Sequence, residues 1–144
     1  MTSALQTLYD ETILDHSRRP RNRRAVEGGR SAERHNPICG DRITVHVRFD
    51  GGVIRDVSFE GSACAIAIAS ASLMTEALNG QTMAAAGALA ERVGSMIAAP
   101  PGAPIEDVGA LTALAGLRQF PIRVKCASLA WQALGALING SQPG

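Results

Sequence analysis

The stretch that decides the fold is RITVHVRF at 42–49, followed by the turn DGG at 50–52 and by VIRDVSFE at 53–60. Apolar and polar residues alternate along both segments, so each has one apolar face and one polar face. Two such segments joined by a tight turn form an antiparallel hairpin whose sheet is buried on one side. The sequence therefore predicts this hairpin, with at most one weak edge strand in the Gly- and charge-rich stretch at 25–36.

Helical patterns occupy most of the remaining chain. Apolar residues at helical spacing predict helices over 4–16 and 82–97, a short helix at 107–116, and a C-terminal helix that follows Pro121 after a strand-like turn. Residues 64–79 are apolar or small on every face, which is typical of a buried helix. We expect an α+β fold in which a small three-stranded antiparallel sheet packs against about five helices.

Length and composition exclude several classes of protein. The 144 residues predict one domain, 1–144, with a real hydrophobic core. The formal net charge of +1 and the charged content of 19% give no sign of a nucleic-acid or membrane partner. The first residues lack the apolar segment of an export signal, and three cysteines do not suit a disulfide framework. We therefore expect a cytoplasmic protein with reduced thiols.

Three cysteines carry the main functional signal: Cys39 in NPICGD, Cys64 in GSACAIAIASAS and Cys126 in RVKCASLAW. Each follows a loop or strand and opens the next element, so the three can converge on one point. Asp41 lies two residues after Cys39, and side chains at i and i+2 of an extended segment point the same way. Thiolates and carboxylates are ligands of zinc, and thiolates also bind iron–sulfur clusters. The residues predict a metal site made by Cys39, Asp41, Cys64 and Cys126.

The charge of such a site needs an offset. Three thiolates and one carboxylate around a divalent ion leave about two units of excess negative charge. Arg42, Arg123 and Lys125 lie close to the ligand positions in sequence and are candidates for that offset. We expect Arg123 to tune the site, either by holding a cysteine as thiolate or by pairing with Asp41.

Other polar residues have a more ordinary interpretation. A lone cysteine in an apolar segment is usually a small buried hydrophobe, although three at element starts weaken that interpretation. We expect His16 to close a helix end, and His35 and His46 to lie at the surface. The basic run at 18–24 has no interleaved aromatic residues, so a solvated or partner-docking surface is expected there.

Four sequence motifs carry a family resemblance: LYDETILDHSRRPRN, NPICGDRI, CAIAIASASLMTE and FPIRVKCASLAW. They resemble, in that order, motifs of the iron–sulfur assembly family that comprises NifU N-terminal domains, IscU and SufU. Together they extend over nearly the whole chain. The resemblance implies that the family's metal ligands correspond to Cys39, Asp41, Cys64 and Cys126.

Two features are similar to the SufU branch of that family. Lys125 stands where IscU proteins usually have a histidine, and the chain has an insertion at about 80–100. The resemblance implies a zinc-dependent sulfurtransferase that accepts persulfide sulfur from a SufS-type cysteine desulfurase for iron–sulfur cluster assembly. Downstream Suf scaffold proteins are further expected partners. Ala63 departs from the family pattern, which usually has Gly before the second cysteine, and we expect a changed metal affinity at most.

Within this hypothesis Cys39 is the expected sulfur acceptor, because it lies on an exposed loop whereas Cys64 heads a buried helix. Asp41, Cys64 and Cys126 would hold the ion. The alternative is a scaffold that builds a transient [2Fe–2S] cluster on the same ligands, which the hard oxygen of Asp41 would make labile. A third alternative is a structural zinc protein with inert thiols.

Overall fold

The computed structural model describes residues 2–37 and 40–139, with four α-helices, a 3₁₀ segment and three strands in those ranges. In chain order they are α1 Thr2–Arg18, β1 Arg30–Asn36, β2 Asp41–Asp50, β3 Val53–Ser62, α2 Ala65–Leu78, α3 Met83–Ala98, the 3₁₀ segment Gly109–Gln119 and α4 Pro121–Ile138. The predicted α+β class, with a three-stranded antiparallel sheet and five helical elements, is confirmed.

The sheet has the order β1-β2-β3, and both strand pairs are antiparallel. Ile43, Val45 and Val47 of β2 are fully buried, as the alternating pattern predicts for the face that meets the helices. The weak edge strand is real, because all of β1 pairs with β2, from Arg30 opposite Val47 to Asn36 opposite Asp41. This pairing leads the chain directly into the turn before Asp41.

Helix α2 is buried along most of its length and packs against both α1 and α4. Its small residues permit that close approach. Ser70 lies inside the helix pair, where its hydroxyl donates to the carbonyl oxygen of Ala127 at 2.7 Å and accepts the indole N–H of Trp131 at 3.1 Å. These bonds satisfy polar groups that have no access to water, so α2 and α4 are held in a defined register.

Two predictions about the C-terminal half were wrong in detail. Helix α4 begins at Pro121 itself, without a strand-like turn, because the fixed φ of proline suits the first position of a helix. As a result Cys126 lies in the body of α4, and a helix N-terminus does not act on it. The short helix expected at 107–116 is a 3₁₀ segment shifted to Gly109–Gln119.

The expected insertion at about 80–100 contains α3, and a loop follows this helix. Arg118 fastens this loop from within: its Nε donates to the Met96 carbonyl at 2.7 Å, and its two terminal nitrogens donate to Ala103 at 2.7 Å and Pro104 at 3.2 Å. The side chain is almost fully buried. A charged group is thus used to order an otherwise irregular segment. None of the described helices is long and apolar enough to cross a lipid bilayer.

Candidate metal site

Asp41 is the first residue of β2 and is only 4% exposed. The preceding Gly40 has φ 76°, a left-handed conformation that glycine adopts without strain, and this turn brings Asp41 inward. Oδ1 of the carboxylate accepts the backbone N–H of Cys64 at 3.0 Å. Oδ2 is buried and has no hydrogen-bond partner among the described residues. A buried carboxylate oxygen without a partner is costly, which fits a position for a cation.

Two cysteines meet this carboxylate. Cys64 is the N-cap residue of α2, and Cys126 lies on the buried side of α4 with 5% exposure. The ligand atoms of Asp41, Cys64 and Cys126 all lie within 4.8 Å of one another. The structure therefore brings together three of the four predicted ligands, whereas Cys39 lies outside the described residues.

This donor set fits zinc. Two thiols and a carboxylate at mutual distances up to 4.8 Å match the soft and hard ligands that zinc accepts, and they need one further ligand for a tetrahedral site. The partnerless Oδ2 of Asp41 supplies a lone pair that no described donor uses. Cys39 would supply the fourth ligand, since only Gly40 separates it from Asp41 in sequence.

The exposure of Cys64 corrects one sequence argument. The residue heads a buried helix, as predicted, but it is itself exposed, because an N-cap residue precedes the buried turns. Burial therefore gives no reason to exclude Cys64 as a sulfur acceptor. Ala63, which precedes Cys64, is partly buried and packs against the hydrophobic core. Its Cβ does not prevent Cys64 from joining the other two ligands.

Arg123 lies near the start of α4 and contacts two aromatic residues. Its Nη1 donates to the hydroxyl of Tyr9 at 3.1 Å, and its guanidinium stacks 4.3 Å from the ring centre of Phe120. Within 2–37 and 40–139, no salt bridge joins it to Asp41 or to another carboxylate. The sequence did not indicate Tyr9 as a partner of Arg123, since 114 residues separate the two and spacing alone does not link them.

The other two cations lie outside the site. Arg42 is exposed, and its Nε lies 3.5 Å from a carboxylate oxygen of Glu33 on β1. This ion pair therefore lies on the solvent-facing side of the sheet. Lys125 is also exposed and precedes Cys126 on α4. Among the described residues, neither cation forms a salt bridge with Asp41.

A cleft of about 690 Å³ opens beside the two cysteines. One wall comes from α1 and the other from the starts of α2 and α4, and the walls are mainly apolar. The residues that line the cleft include Tyr9, Ile13, Cys64, Arg123 and Cys126. Both thiols and the guanidinium therefore face the same open space.

The histidines lie away from these ligands. His16 is buried at the end of α1, where Nδ1 lies 2.7 Å from the Ser72 hydroxyl, and burial lowers the pKa of its imidazole below 6.5. His35 is exposed. His46 lies on the outer face of the sheet with Nε2 2.8 Å from Glu60, which is consistent with the surface position expected for it.

The basic run at 18–24 is engaged within the protein. Arg19 and Arg21 pair with Asp15 at 2.9 and 2.7 Å, and Arg24 binds Asp56 at 2.8 Å. These guanidinium groups hold the pKa of both carboxyls below the ordinary value of 3.8. The run therefore fastens the segment after α1 to the rest of the fold.

Comparison with known proteins gives consistent matches. Residues 8–138 match the family model for the NifU-like N-terminal domain. The chain is 38% identical over 130 residues to the zinc-dependent sulfurtransferase SufU of Bacillus subtilis, a match that covers 90% of this chain and 88% of the relative. It is 38% identical over 139 residues to the iron–sulfur cluster assembly scaffold protein IscU of Streptococcus pyogenes, covering 96% and 87%.

A solved structure agrees with these matches. The crystal structure of FiSufU, a candidate iron–sulfur cluster assembly scaffold for the SUF system of Fervidobacterium islandicum, is similar with a TM-score of 0.80 and 32% identity. The match covers 89% of this chain and 94% of that one. Since a named sulfurtransferase and a named scaffold are equally identical to the chain, identity favours neither activity.

Proposed function

Because the chain belongs to the family of NifU-like N-terminal domains, we propose that it is a zinc-dependent sulfurtransferase that accepts persulfide sulfur from a cysteine desulfurase. The accepted sulfur would be used for iron–sulfur cluster assembly, the process that appears in the names of two similar proteins. The family resemblance inferred from the four sequence motifs is confirmed by these matches. Location in the cytoplasm and a SufS-type partner remain part of the proposal.

The observation that carries the proposal is the buried carboxylate beside two thiols. Oδ2 of Asp41 has no described partner, and the ligand atoms of Cys64 and Cys126 lie within 4.8 Å of the carboxylate. Asp41, Cys64, Cys126 and Cys39 would hold zinc, which when bound keeps thiols deprotonated near neutral pH. An open cleft beside the thiols would give a partner protein access to Cys64, the exposed one of the two.

The transfer itself is thiol exchange. The thiolate of Cys39 attacks the terminal sulfur of the desulfurase persulfide, and a new S–S bond forms on Cys39. The S–S bond of the desulfurase breaks, and its cysteine leaves as thiolate. One sulfur atom moves without an external oxidant or reductant. Cys39 is the proposed acceptor by its correspondence to the SufU branch, and the exposed Cys64 is the competitor that an experiment must exclude.

The test mixes the zinc-loaded protein with a cysteine desulfurase, cysteine and a reductant, and measures sulfide release. Stimulation by the wild-type protein that is lost in Cys39→Ala supports the proposal. The variant must still bind the desulfurase, which a pull-down with the purified enzyme checks. Unchanged desulfurase turnover with the wild-type protein would refute sulfur transfer.

A second candidate function is a scaffold for a transient [2Fe–2S] cluster. The chain is as similar to an IscU scaffold protein as to the sulfurtransferase, at 38% identity to each, and the mixed oxygen and sulfur donors are compatible with a labile cluster. Anaerobic loading with iron and sulfide distinguishes the two. A visible cluster spectrum that transfers to an apo-ferredoxin supports the scaffold, whereas a protein that retains only zinc argues against it.

A further inference from the structure

The guanidinium of Arg123 is held on two sides. Its Nη1 donates to the Tyr9 hydroxyl at 3.1 Å, and its plane lies 4.3 Å from the ring centre of Phe120. An exposed arginine normally samples many rotamers, and two such contacts restrict that freedom. The position of this cation is therefore determined by α1 and by the residue that precedes α4.

Tyr9 is itself fixed from behind. Its side chain is almost fully buried, and the backbone of Gly116 in the 3₁₀ segment lies directly against the ring. A Cβ at position 116 would be 2.8 Å from Cδ1 of Tyr9, closer than real Cβ contacts come. Because the ring is buried and packs against this backbone, we expect the Tyr9 hydroxyl to be a well-positioned acceptor for Arg123.

The pair lies in the cleft that holds the two thiols. Tyr9, Arg123, Cys64 and Cys126 all line the same space of about 690 Å³. Asp10, the acidic residue that also lines it, binds the side chain of Gln6 at 2.8 Å. A guanidinium has five N–H donors, and Tyr9 uses one of those of Arg123. The others can receive an anion that enters the cleft.

We propose that Tyr9 is a positioning residue that holds Arg123 toward the cleft, where the remaining N–H groups bind the anionic terminal sulfur of the incoming persulfide. This inference rests on the proposed sulfur transfer for the identity of the anion. The advantage of a fixed guanidinium is that less conformational freedom is lost when the anion binds. Arg123 touches the anion, and Tyr9 acts only through Arg123.

The test uses Tyr9→Phe, which keeps the ring against Gly116 and removes only the hydroxyl. Desulfurase stimulation is titrated with zinc-loaded protein to separate the half-saturating concentration from the maximal rate. Tyr9→Phe should raise the half-saturating concentration about three- to tenfold, as the loss of one hydrogen bond of ordinary net strength allows, with little change in maximal rate. Arg92→Ala is the control, because Arg92 is exposed and pairs with Glu106 on another face.

A double-mutant cycle decides whether the hydroxyl acts through the arginine. In the Arg123→Ala background, Tyr9→Phe should have no further effect on the half-saturating concentration. Equal effects in both backgrounds would overturn the proposal, and so would an unchanged titration in Tyr9→Phe alone. A circular dichroism spectrum identical to that of the wild type establishes that the variants are folded.

A second readout does not depend on zinc or on sulfur transfer. In the metal-free protein, the side-chain Nε–H signal of Arg123 in NMR should be well ordered, and Tyr9→Phe should lower its order parameter. If the wild-type protein stimulates no desulfurase, the proposed function fails, yet this comparison still decides whether Tyr9 holds Arg123. An Arg123 signal that is equally mobile with and without the hydroxyl would overturn the positioning role.

Discussion

Replacing Asp41 by Asn should have opposite consequences for the metal-free and the zinc-loaded protein. Asn has the same shape, and its side-chain oxygen can still accept the N–H of Cys64 that lies 3.0 Å from Oδ1. What the substitution removes is the negative charge at a position that is 4% exposed. The second carboxylate oxygen, Oδ2, which has no described partner, is replaced by the NH2 group of the amide.

The magnitude for the metal-free protein follows from these contacts. Loss of the charge weakens the hydrogen bond from Cys64, from about 1.5–3 kcal/mol for a charged acceptor to about 1 kcal/mol for a neutral one. The substitution also removes the free-energy cost of burying an unpaired carboxylate, and this gain is at least as large as the loss. We therefore expect the free energy of unfolding of metal-free Asp41→Asn to lie within about 1 kcal/mol of wild type, or above it.

The zinc-loaded protein should respond in the other direction. Zinc binding to a four-ligand site contributes about 10–16 kcal/mol, so one ligand of the four accounts for roughly 3 kcal/mol. Because 1.4 kcal/mol corresponds to a tenfold change, zinc affinity should fall roughly hundredfold. Competition with a chromophoric chelator measures the affinity, and urea unfolding in EDTA measures the metal-free stability.

Asp56→Asn is the matched control, since Asp56 is a partly buried carboxylate that binds Arg24 at 2.8 Å on another part of the fold. It should lower stability slightly and leave zinc affinity unchanged. Unaltered zinc affinity in Asp41→Asn would show that Asp41 is not a ligand. A loss of more than about 2 kcal/mol in its metal-free stability would instead make the carboxylate a structural partner of the α2 N-terminus.

Two further predictions concern the surrounding fold. Arg118→Met removes three hydrogen bonds from a charged group to backbone carbonyls. Because the cost of burying the guanidinium offsets part of their strength, we count about 1 kcal/mol net for each, and urea unfolding should show a loss of about 3 kcal/mol. A loss below about 1 kcal/mol would contradict the role given to this side chain. Burial holds the pKa of His16 below 6.5, so the unfolded chain takes up the proton first as the pH falls. The contribution of neutral His16 to the free energy of unfolding should therefore be fully present above pH 6.5 and should decline below it. In urea unfolding at about pH 5–8, His16→Gln should show a smaller decline than the wild type. An equally steep decline in the variant would refute this prediction.

The elements that were predictable from sequence are those with a strong local period. The alternation in 42–49 and 53–60 determined the hairpin, and the uniformly small and apolar run at 64–79 identified the buried helix. The boundary at Pro121 was misjudged because proline is equally common at turns and at the first position of a helix, and local sequence does not distinguish them. The 3₁₀ segment was misplaced because its pattern is short.

The amino-acid sequence by itself determined the fold class and the family, and it placed Asp41, Cys64 and Cys126 among the candidate ligands. Local periodicity and motifs depend only on residues that are close in sequence, so they can be recognised without the three-dimensional structure. Only the tertiary structure showed that the three ligand atoms lie within 4.8 Å, that Oδ2 of Asp41 has no described partner, and that Cys64 is exposed. It also gave Arg123 a tyrosine rather than a carboxylate as partner. These contacts join α1, β2, α2 and α4, and packing between distant segments is not encoded in the spacing within any one of them.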